Sequence, residues 1–270
     1  MERFILNYAN KGLWYGTFTH FDKLEVRHGI SSRLGGESSQ PFMSLNLGLH
    51  TGDEDNIVIA NRQLFCQSLG VVAEDIVTAE QTHTDRVLVV TKEHISKGAK
   101  IYSEAIRATD AMITNVPGIP LMLFFADCVP VLLVDPIQKV IGIAHAGWKG
   151  TVDKIAQKTV LAMQTHFGTN PQQCLIGIAP SIGPCCYEVD NVVINRLKNQ
   201  FENWEQLVQP HGEKWYLDLW QANRFQLEEI GVQAQNIIVS KVCTACNKEL
   251  FYSYRGENSC TGRMGAVIVL

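Results

Sequence analysis

No apolar run in this 270-residue chain is clean enough to cross a bilayer. The longest apolar region, Ile119 to Val134, is cut by Pro120, Asp127 and Pro130, whereas a spanning helix needs about 20 apolar residues in succession. Blocks of like charge are also missing. Lysines and arginines are scattered and the formal net charge is −4, so neither nucleic acid nor an anionic membrane is the expected partner, and a small molecule is. Met1 to Leu13 carries Glu2, Arg3, Asn7 and Lys11, which breaks the continuous apolar core of a signal peptide and makes the cytoplasm the expected compartment. No low-complexity tract or long linker divides the chain, so a single domain over residues 1–270 is expected.

What is there fits a folded protein. With 46% hydrophobic and 19% charged residues the chain can bury a core without covalent staples, which argues against disorder. Its eight cysteines would suit a disulfide scaffold in a short secreted chain; here they read as thiols or metal ligands. Residues 29–48, GISSRLGGESSQPFMSLNLG, are rich in Gly and Ser and read as a surface loop that is flexible or carries a site; a helix is expected after it, from about Asp53 to Leu69.

LMLFFAD (121–127), VPVLLVD (129–135) and VIGIAHA (140–146) are short, branched apolar runs that predict buried strands. Val152, Ile155, Ala156, Thr159, Met163 and Phe167 then recur at helical spacing until Gly168 and Pro171. After that helix, IGIAHAG at 141–147 is nearly repeated as IGIAPSIG at 176–183. Strand, helix, strand predicts a βαβ unit at about 138–180 with parallel strands. In matching register, His145, Ser181, Cys185 and Cys186 would meet at the edge where such units gather ligands. A helix near Asp218–Ile230, a strand at 236–242 and a last strand near 265–270 complete a mixed-sheet α+β pattern.

His145 stands where a strand ends, His83 in QTHTD just before the apolar run Val87–Val90, and Cys128 in FFADC where a strand meets Pro130. Two imidazoles and a thiolate suit a three-ligand zinc site that keeps one position open. The same residues also read as hydrogen-bonded structural histidines and a small buried hydrophobe. CTAC at 243–246 and CC at 185–186 invite a metal reading as well, but C-x-x-C needs a second pair nearby and the only neighbouring cysteine is Cys260, so buried thiols are favoured.

TDAMITNVPGIPLMLFFADCVPVLLVDP, IGIAHAGWKGT, IGPCCYEV and the late CTACNKELFYSYR with TGRMGAVIVL resemble the laccase-domain proteins, a family also known as polyphenol oxidases and as purine nucleoside phosphorylases of the YfiH type. The match runs from about Ser31 to Leu270. The resemblance implies one mixed α/β sandwich domain with a metal site of zinc, or copper, held by His83, Cys128 and His145. It also implies phosphorolysis of adenosine, inosine and S-methyl-5′-thioadenosine, adenosine deamination as a second activity, and a monomer or homodimer. The usual Q-V-H-G is Q-T-H-T here, which keeps the histidine and alters the turn around it.

Three other chemistries compete with that one. A multicopper oxidase needs many histidines, commonly in closely spaced pairs, and this chain has eight with no H-x-H. A cysteine hydrolase would use Cys128 as nucleophile and His145 as base; a non-catalytic zinc protein would need a fourth ligand that the sequence does not offer. Asp110 in ATDAM is the first choice as acid or base. Arg33, Asn46, Arg62, Lys149, Arg255 and Arg263 are candidate substrate contacts, with Lys149 and the small residues Ala146, Gly147 and Gly150 forming a candidate phosphate cradle at a helix start. Asp127 is expected to point away from Cys128 if the chain is extended there.

Overall fold

The computed structural model describes residues 3–9 and 12–270; Glu2 and Lys11, which argued against a leader, lie outside the described residues. In chain order the elements are β1 (Phe4–Tyr8), β2 (Trp14–Phe18), β3 (Arg27–Ser31), α1 (Asp55–Ser68), β4 (Val87–Val89), β5 (Ala111–Thr114), β6 (Leu121–Phe125), β7 (Val129–Asp135), β8 (Val140–Ala146) and α2 (Trp148–Val152). They continue as α3 (Ile155–Phe167), β9 (Leu175–Ile178), β10 (Glu188–Val189), α4 (Asn191–Gln200), β11 (Val208–His211), β12 (Lys214–Leu217), α5 (Leu219–Glu229), β13 (Ile237–Val239) and β14 (Met264–Val269). None of the described helices is long and apolar enough to cross a membrane.

Alternation along the strands dictates the layers. A five-stranded sheet, β1-β2-β3-β14-β6, lies over a six-stranded one, β13-β9-β7-β8-β5-β4. Because successive side chains point to opposite faces, Ile141 and Ile143 of β8 join Leu132 and Val134 of β7, Leu121, Leu123 and Phe125 of β6, and Ala266 and Ile268 of β14 in a core between the sheets. The intervening Val140, Ala144 and Ala146 face outward with Val131 and Leu133 onto Ile155, Ala156, Val160 and Met163 of α3. On the far side of the first sheet, Met122, Phe124, Val267 and Val269 pack with Leu45, Leu47 and Phe65, the last on α1. The result is a helix/sheet/sheet/helix sandwich of mixed α/β class, as the sequence patterning and the resemblance implied. Each fully buried Leu, Ile, Val or Phe contributes about 1.5–3 kcal/mol of transfer free energy.

The expected βαβ unit is present in altered form. β8 and β9 run in the same direction but do not pair; β7 lies between them, antiparallel to both. The two IGIA copies are also one residue out of step: Ala144 and Ile178 both oppose Val131, so Ala179 falls level with His145 rather than with Ala144. One residue of slip exchanges the faces of a strand. Thus Ile141 and Ile143 lie between the sheets, while Ile176 and Ile178 lie against the helices.

Three further expectations are corrected. The helix expected from Val152 is broken after one turn: Asp153 caps α2, and Lys154 adopts a left-handed φ of 60° before α3 begins. The strand at 121–127 stops at Phe125, because Ala126–Cys128 form a turn with Asp127 at φ 85°. The Gly/Ser-rich stretch is no loose surface loop, since its first residues form β3 and its Leu45, Asn46 and Leu47 are completely buried.

Beside β2 and β3, two histidines are packed into the core. His28 Nε2 accepts the Phe18 N–H at 2.8 Å, and His20 stacks on Phe21 at 4.0 Å with its Nε2 3.1 Å from the Ile176 carbonyl oxygen. Burial pushes both imidazoles down to about 4; at His28 the neighbouring His20 adds to this. Unfolded histidine titrates near 6.5, so between about pH 6.5 and 4 the unfolded chain binds more protons and stability falls as pH is lowered through that window. His28→Gln keeps an acceptor for Phe18 and removes one titrating ring. The expected outcome is a slope of unfolding free energy against pH shallower by up to about 1.4 kcal/mol per pH unit in that window, read from urea unfolding at several pH values; an unchanged slope contradicts it.

Candidate metal centre and cavity

Asp110 immediately precedes β5, has no exposed surface, and organises the turn that carries His83. Its carboxylate accepts the backbone N–H groups of Thr82 at 3.2 Å, His83 at 3.1 Å and Thr84 at 2.7 Å, together with the Thr84 hydroxyl at 2.9 Å. This wrapping holds His83 in a left-handed conformation, φ 62°. The same carboxylate lies 2.7 Å from His145 Nδ1, and the Asp110 carbonyl accepts the His145 backbone N–H at 2.7 Å. His145 thereby turns its Nε2 edge toward the sulfur, the arrangement in which a carboxylate fixes the tautomer of a metal-ligating histidine.

Cys128 follows the Asp127 turn, and its Sγ is 3.8 Å from His83 Nε2. One ligand atom from each of His83, Cys128 and His145 lies within 4.8 Å of the others, and the two imidazole rings meet edge to face at 4.9 Å. The three residues predicted from separate motifs are therefore brought together. Burial opposes a charge on Cys128, but the His145 and His83 imidazoles overcome it and pull the thiol down to about 6. Burial likewise opposes protonation of His145, which the Cys128 thiolate and Asp110 outweigh, raising it to about 9. The pair favours thiolate, the form that binds metal. Gly147 completes the fit: a Cβ there would stand 2.9 Å from His83 Cδ2 and 3.0 Å from Cys128 Sγ.

The cluster opens on a cavity of about 520 Å³, a size suited to a small organic ligand. Its walls are aromatic: Phe124, Tyr102, Trp148, Tyr187 and Tyr254, with His50 and Gln81 beside them. Two cations line it, Arg255 and Arg263. His50 keeps an exposed edge there; desolvation by the surrounding walls, with Arg263 next in effect, lowers its affinity for a proton. Sequence reasoning missed the aromatic walls. Gln81 belonged to the Q-x-H element but had no role; it pairs with Phe124 through both ends of its amide, each at 2.8 Å, and ties the His83 loop to β6.

The other sequence candidates divide sharply. Arg33 is consumed by the Met43 and Lys248 carbonyls and the Glu257 carboxylate, and Arg62 is buried with its guanidinium on the Leu47, Gly98 and Ala99 carbonyls. Asn46 links Thr51, Asp53, Gly48 and Arg263. All three brace loops and none lines the cavity. Lys149 is exposed on one-turn α2, also outside the lining. Asp110, enclosed by its own donors, positions His145 and the His83 turn and does not reach the cavity. Asp127 corrects an assumption of extended chain: it lines the cavity beside Cys128, with one oxygen accepting the Thr244 hydroxyl and the other the Arg255 N–H, both at 2.6 Å. Ser181, Cys185 and Cys186 do not line it; Tyr187, next in the chain, does.

Comparison with known proteins agrees with this architecture. Residues 27–270 match the family described as multi-copper polyphenol oxidoreductase laccase. A protein named purine nucleoside phosphorylase YlmD from Geobacillus stearothermophilus is 40% identical over 242 residues, covering 89% of this chain and 88% of that one. A protein named adenosine deaminase RL5, from an unknown prokaryotic organism, is 33% identical over 224 residues, covering 82% and 85%. The crystal structure of the Bacillus licheniformis hypothetical protein YfiH superposes with a TM-score of 0.92 at 38% identity, over 98% of both chains. With residues 27–270 matched by the family model and most of its length shared with such proteins, this chain belongs to the multi-copper polyphenol oxidoreductase laccase family.

Proposed function

We propose that the protein is a purine nucleoside phosphorylase that cleaves adenosine, inosine and S-methyl-5′-thioadenosine with phosphate, and that it deaminates adenosine as a second activity. The observation that carries this reading is one cavity in which a His–Cys–His cluster, aromatic walls and two arginines converge. Relatives named for both activities support it. Aromatic faces suit a purine, and arginines suit an oxyanion through their paired donors.

In phosphorolysis a phosphate oxygen bonds to the anomeric carbon while the bond from that carbon to the purine nitrogen breaks. The bonding pair leaves with the base, which takes up a proton. Arg255 and Arg263 hold the phosphate and oppose its charge as it nears the sugar. Arg255 is steadied by a 3.0 Å bond from Nη1 to the Glu188 carbonyl and by the Tyr187 ring 5.4 Å away. His83, Cys128 and His145 are suited to zinc, as two imidazoles and one thiolate of an open catalytic site, and also to copper. A bound ion supplies Lewis acidity toward an oxygen of substrate or water. Asp110 holds His145 in the tautomer that leaves Nε2 free.

A cysteine hydrolase is the second reading, favoured by the pairing of a Cys128 thiolate with His145 backed by Asp110. Against it, a second imidazole, His83, also faces the sulfur, which a metal site uses and a nucleophile does not need. Replacing Cys128 with Ala should remove one metal equivalent per chain, measured by elemental analysis, and abolish nucleoside cleavage with the far-ultraviolet circular dichroism unchanged. Full retention of that equivalent rejects the ligand set.

Gly147→Ala tests the same site by shape alone, because φ of −62° accepts any residue there. The added methyl should displace His83 and Cys128 and weaken metal binding at least tenfold in a chelator competition; wild-type affinity would show that the crowding is relieved elsewhere.

With wild-type protein, adenine release from adenosine should require phosphate and yield ribose 1-phosphate. Arg255→Ala should raise the phosphate KM by roughly 10- to 100-fold, the cost of losing a hydrogen bond to a charged group, and the nucleoside KM less; Lys149→Ala should change neither. Equal adenine release without phosphate would make the enzyme a hydrolase, and a phosphate KM moved by Lys149→Ala instead would return the anion to the turn after His145.

A further inference from the structure

A second cluster of metal-binding side chains stands outside the cavity, and the reading of CC and CTAC as buried thiols does not survive its geometry. Cys185 and Cys246 are exposed, Cys186 is half-buried and only Cys243 is buried. Their four sulfurs all lie within 4.8 Å of one another. Cys246 Sγ is 3.5 Å from Cys185 Sγ and 3.4 Å from Cys186 Sγ. A disulfide would place two sulfurs about 2.05 Å apart. Four thiolates about 2.3 Å from a central zinc stand about 3.8 Å from each other along the edges of the tetrahedron. The observed separations are close to that second figure.

The backbone, and not the side chains, sets this convergence. Ser181 and Cys243 form a parallel bridge, with the Ser181 N–H on the Val242 carbonyl at 3.2 Å and the Thr244 N–H on the Ser181 carbonyl at 3.0 Å. On one side of the bridge the chain turns at Gly183, whose carbonyl accepts the Cys186 and Tyr187 N–H groups, both at 3.0 Å. On the other side Asn247 closes the turn, its Nδ2 on the Cys243 carbonyl at 2.8 Å and its N–H on the Thr244 carbonyl at 3.1 Å. The Gly183 N–H points at Cys243 Sγ, 3.2 Å away, the kind of backbone donor that steadies a sulfur carrying negative charge. Gly183 itself has no room for a side chain, since a Cβ would stand 2.7 Å from the Trp220 ring and 3.1 Å from Cys243 Cβ.

We propose that Cys185, Cys186, Cys243 and Cys246 form a second metal site, a closed four-thiolate site for a structural zinc ion, distinct from the open His83–Cys128–His145 cluster. Its place in the fold gives it a task. Tyr187, directly after Cys186, lines the cavity, and so do Asp127, Tyr254 and Arg255. Thr244, inside the CTAC turn, donates its hydroxyl to Asp127, and Arg255 reaches back to the Glu188 carbonyl. An ion at the four sulfurs staples the segment after β9 to the segment before β14, and so fixes the cavity wall that carries Tyr187 and Arg255. Closed structural sites contribute directly to folding free energy.

The test uses the full chain with Cys128→Ala, which empties the first cluster and leaves all four of these cysteines in place. Purified under reductant, it should retain one zinc per chain, with X-ray absorption giving four sulfur neighbours at about 2.3 Å. Cobalt(II) in place of zinc should give the visible bands of a tetrahedral thiolate complex. Adding Cys243→Ser and Cys246→Ser should bring zinc to zero and lower the thermal midpoint by several degrees, as a chelator should in the parent variant. Should that triple variant fail to fold, the absorption and cobalt spectra of the Cys128→Ala protein still decide the matter. Less than a tenth of a zinc per chain with all four thiols open to a thiol reagent overturns the proposal. A mass lower by two hydrogens, from a disulfide within this cluster, overturns it equally.

Discussion

The buried carboxylate of Asp110 is the constraint on which the rest of the site depends. A carboxylate without solvent exposure costs several kcal/mol unless every lone pair is met, and here the donors are the Thr82, His83 and Thr84 N–H groups, the Thr84 hydroxyl and His145. Satisfying that carboxylate wraps the QTHT turn around it, and the wrapped turn leaves His83 facing Cys128. The contact that pays for burial is thus the contact that aims both histidines. Burial still works against the charge, yet His145 and the turn hold the Asp110 carboxyl below its usual range. Enclosed by these donors, it anchors both histidine-bearing segments.

The His83–Cys128–His145 set was legible through the motifs that carry the family resemblance; position near the ends of elements alone left a structural reading open for each residue. The cavity walls were not legible. Tyr102, Tyr187 and Tyr254 stand outside the strands that flank the cluster, in segments without a repeating pattern, so nothing local announces a shared face. Polar residues in the Gly/Ser-rich segment misled for a related reason. A buried irregular segment leaves backbone groups without ladder partners: Arg33 and, from α1, Arg62 donate to such carbonyls, and Asn46 accepts the Gly48 and Arg263 N–H groups, instead of reaching a ligand. The duplicated IGIA misled through register: composition cannot show that β7 inserts between the copies, nor that one copy slips by a residue and exchanges its faces.

The cysteine pairs extend that lesson to long range. Cys185 and Cys246 are 61 positions apart, and between them run α4, the small sheet of β10, β12 and β11, α5 and β13. What joins them is the pairing of β13 with β9 in parallel, Ile237 to Val239 against Ile176 to Ile178, which carries the two chains onward side by side to the Ser181–Cys243 bridge. A sequence search for a second C-x-x-C finds none, because the partner is a vicinal pair on the neighbouring strand's extension. The topology that offsets β9 from β8 also delivers the four sulfurs.

The family description mentions several coppers, and the placement of the histidines limits what that can mean here. His20 and His28 are locked in the core beside Phe18 and Phe21, away from any other ligand type. His94 is tied to Thr91 and His211 to Glu188. Among the described residues, two groups can gather three or more metal ligands, and only one of them contains histidine. Among the described residues, no group therefore gathers the several histidines that a trinuclear copper centre uses. His50 comes nearest to an exception: it lines the same cavity, but its ring lies against Tyr102 at 5.5 Å and Phe124 at 6.1 Å. His50 thus stands as part of the cavity wall and belongs to neither group of metal-binding side chains.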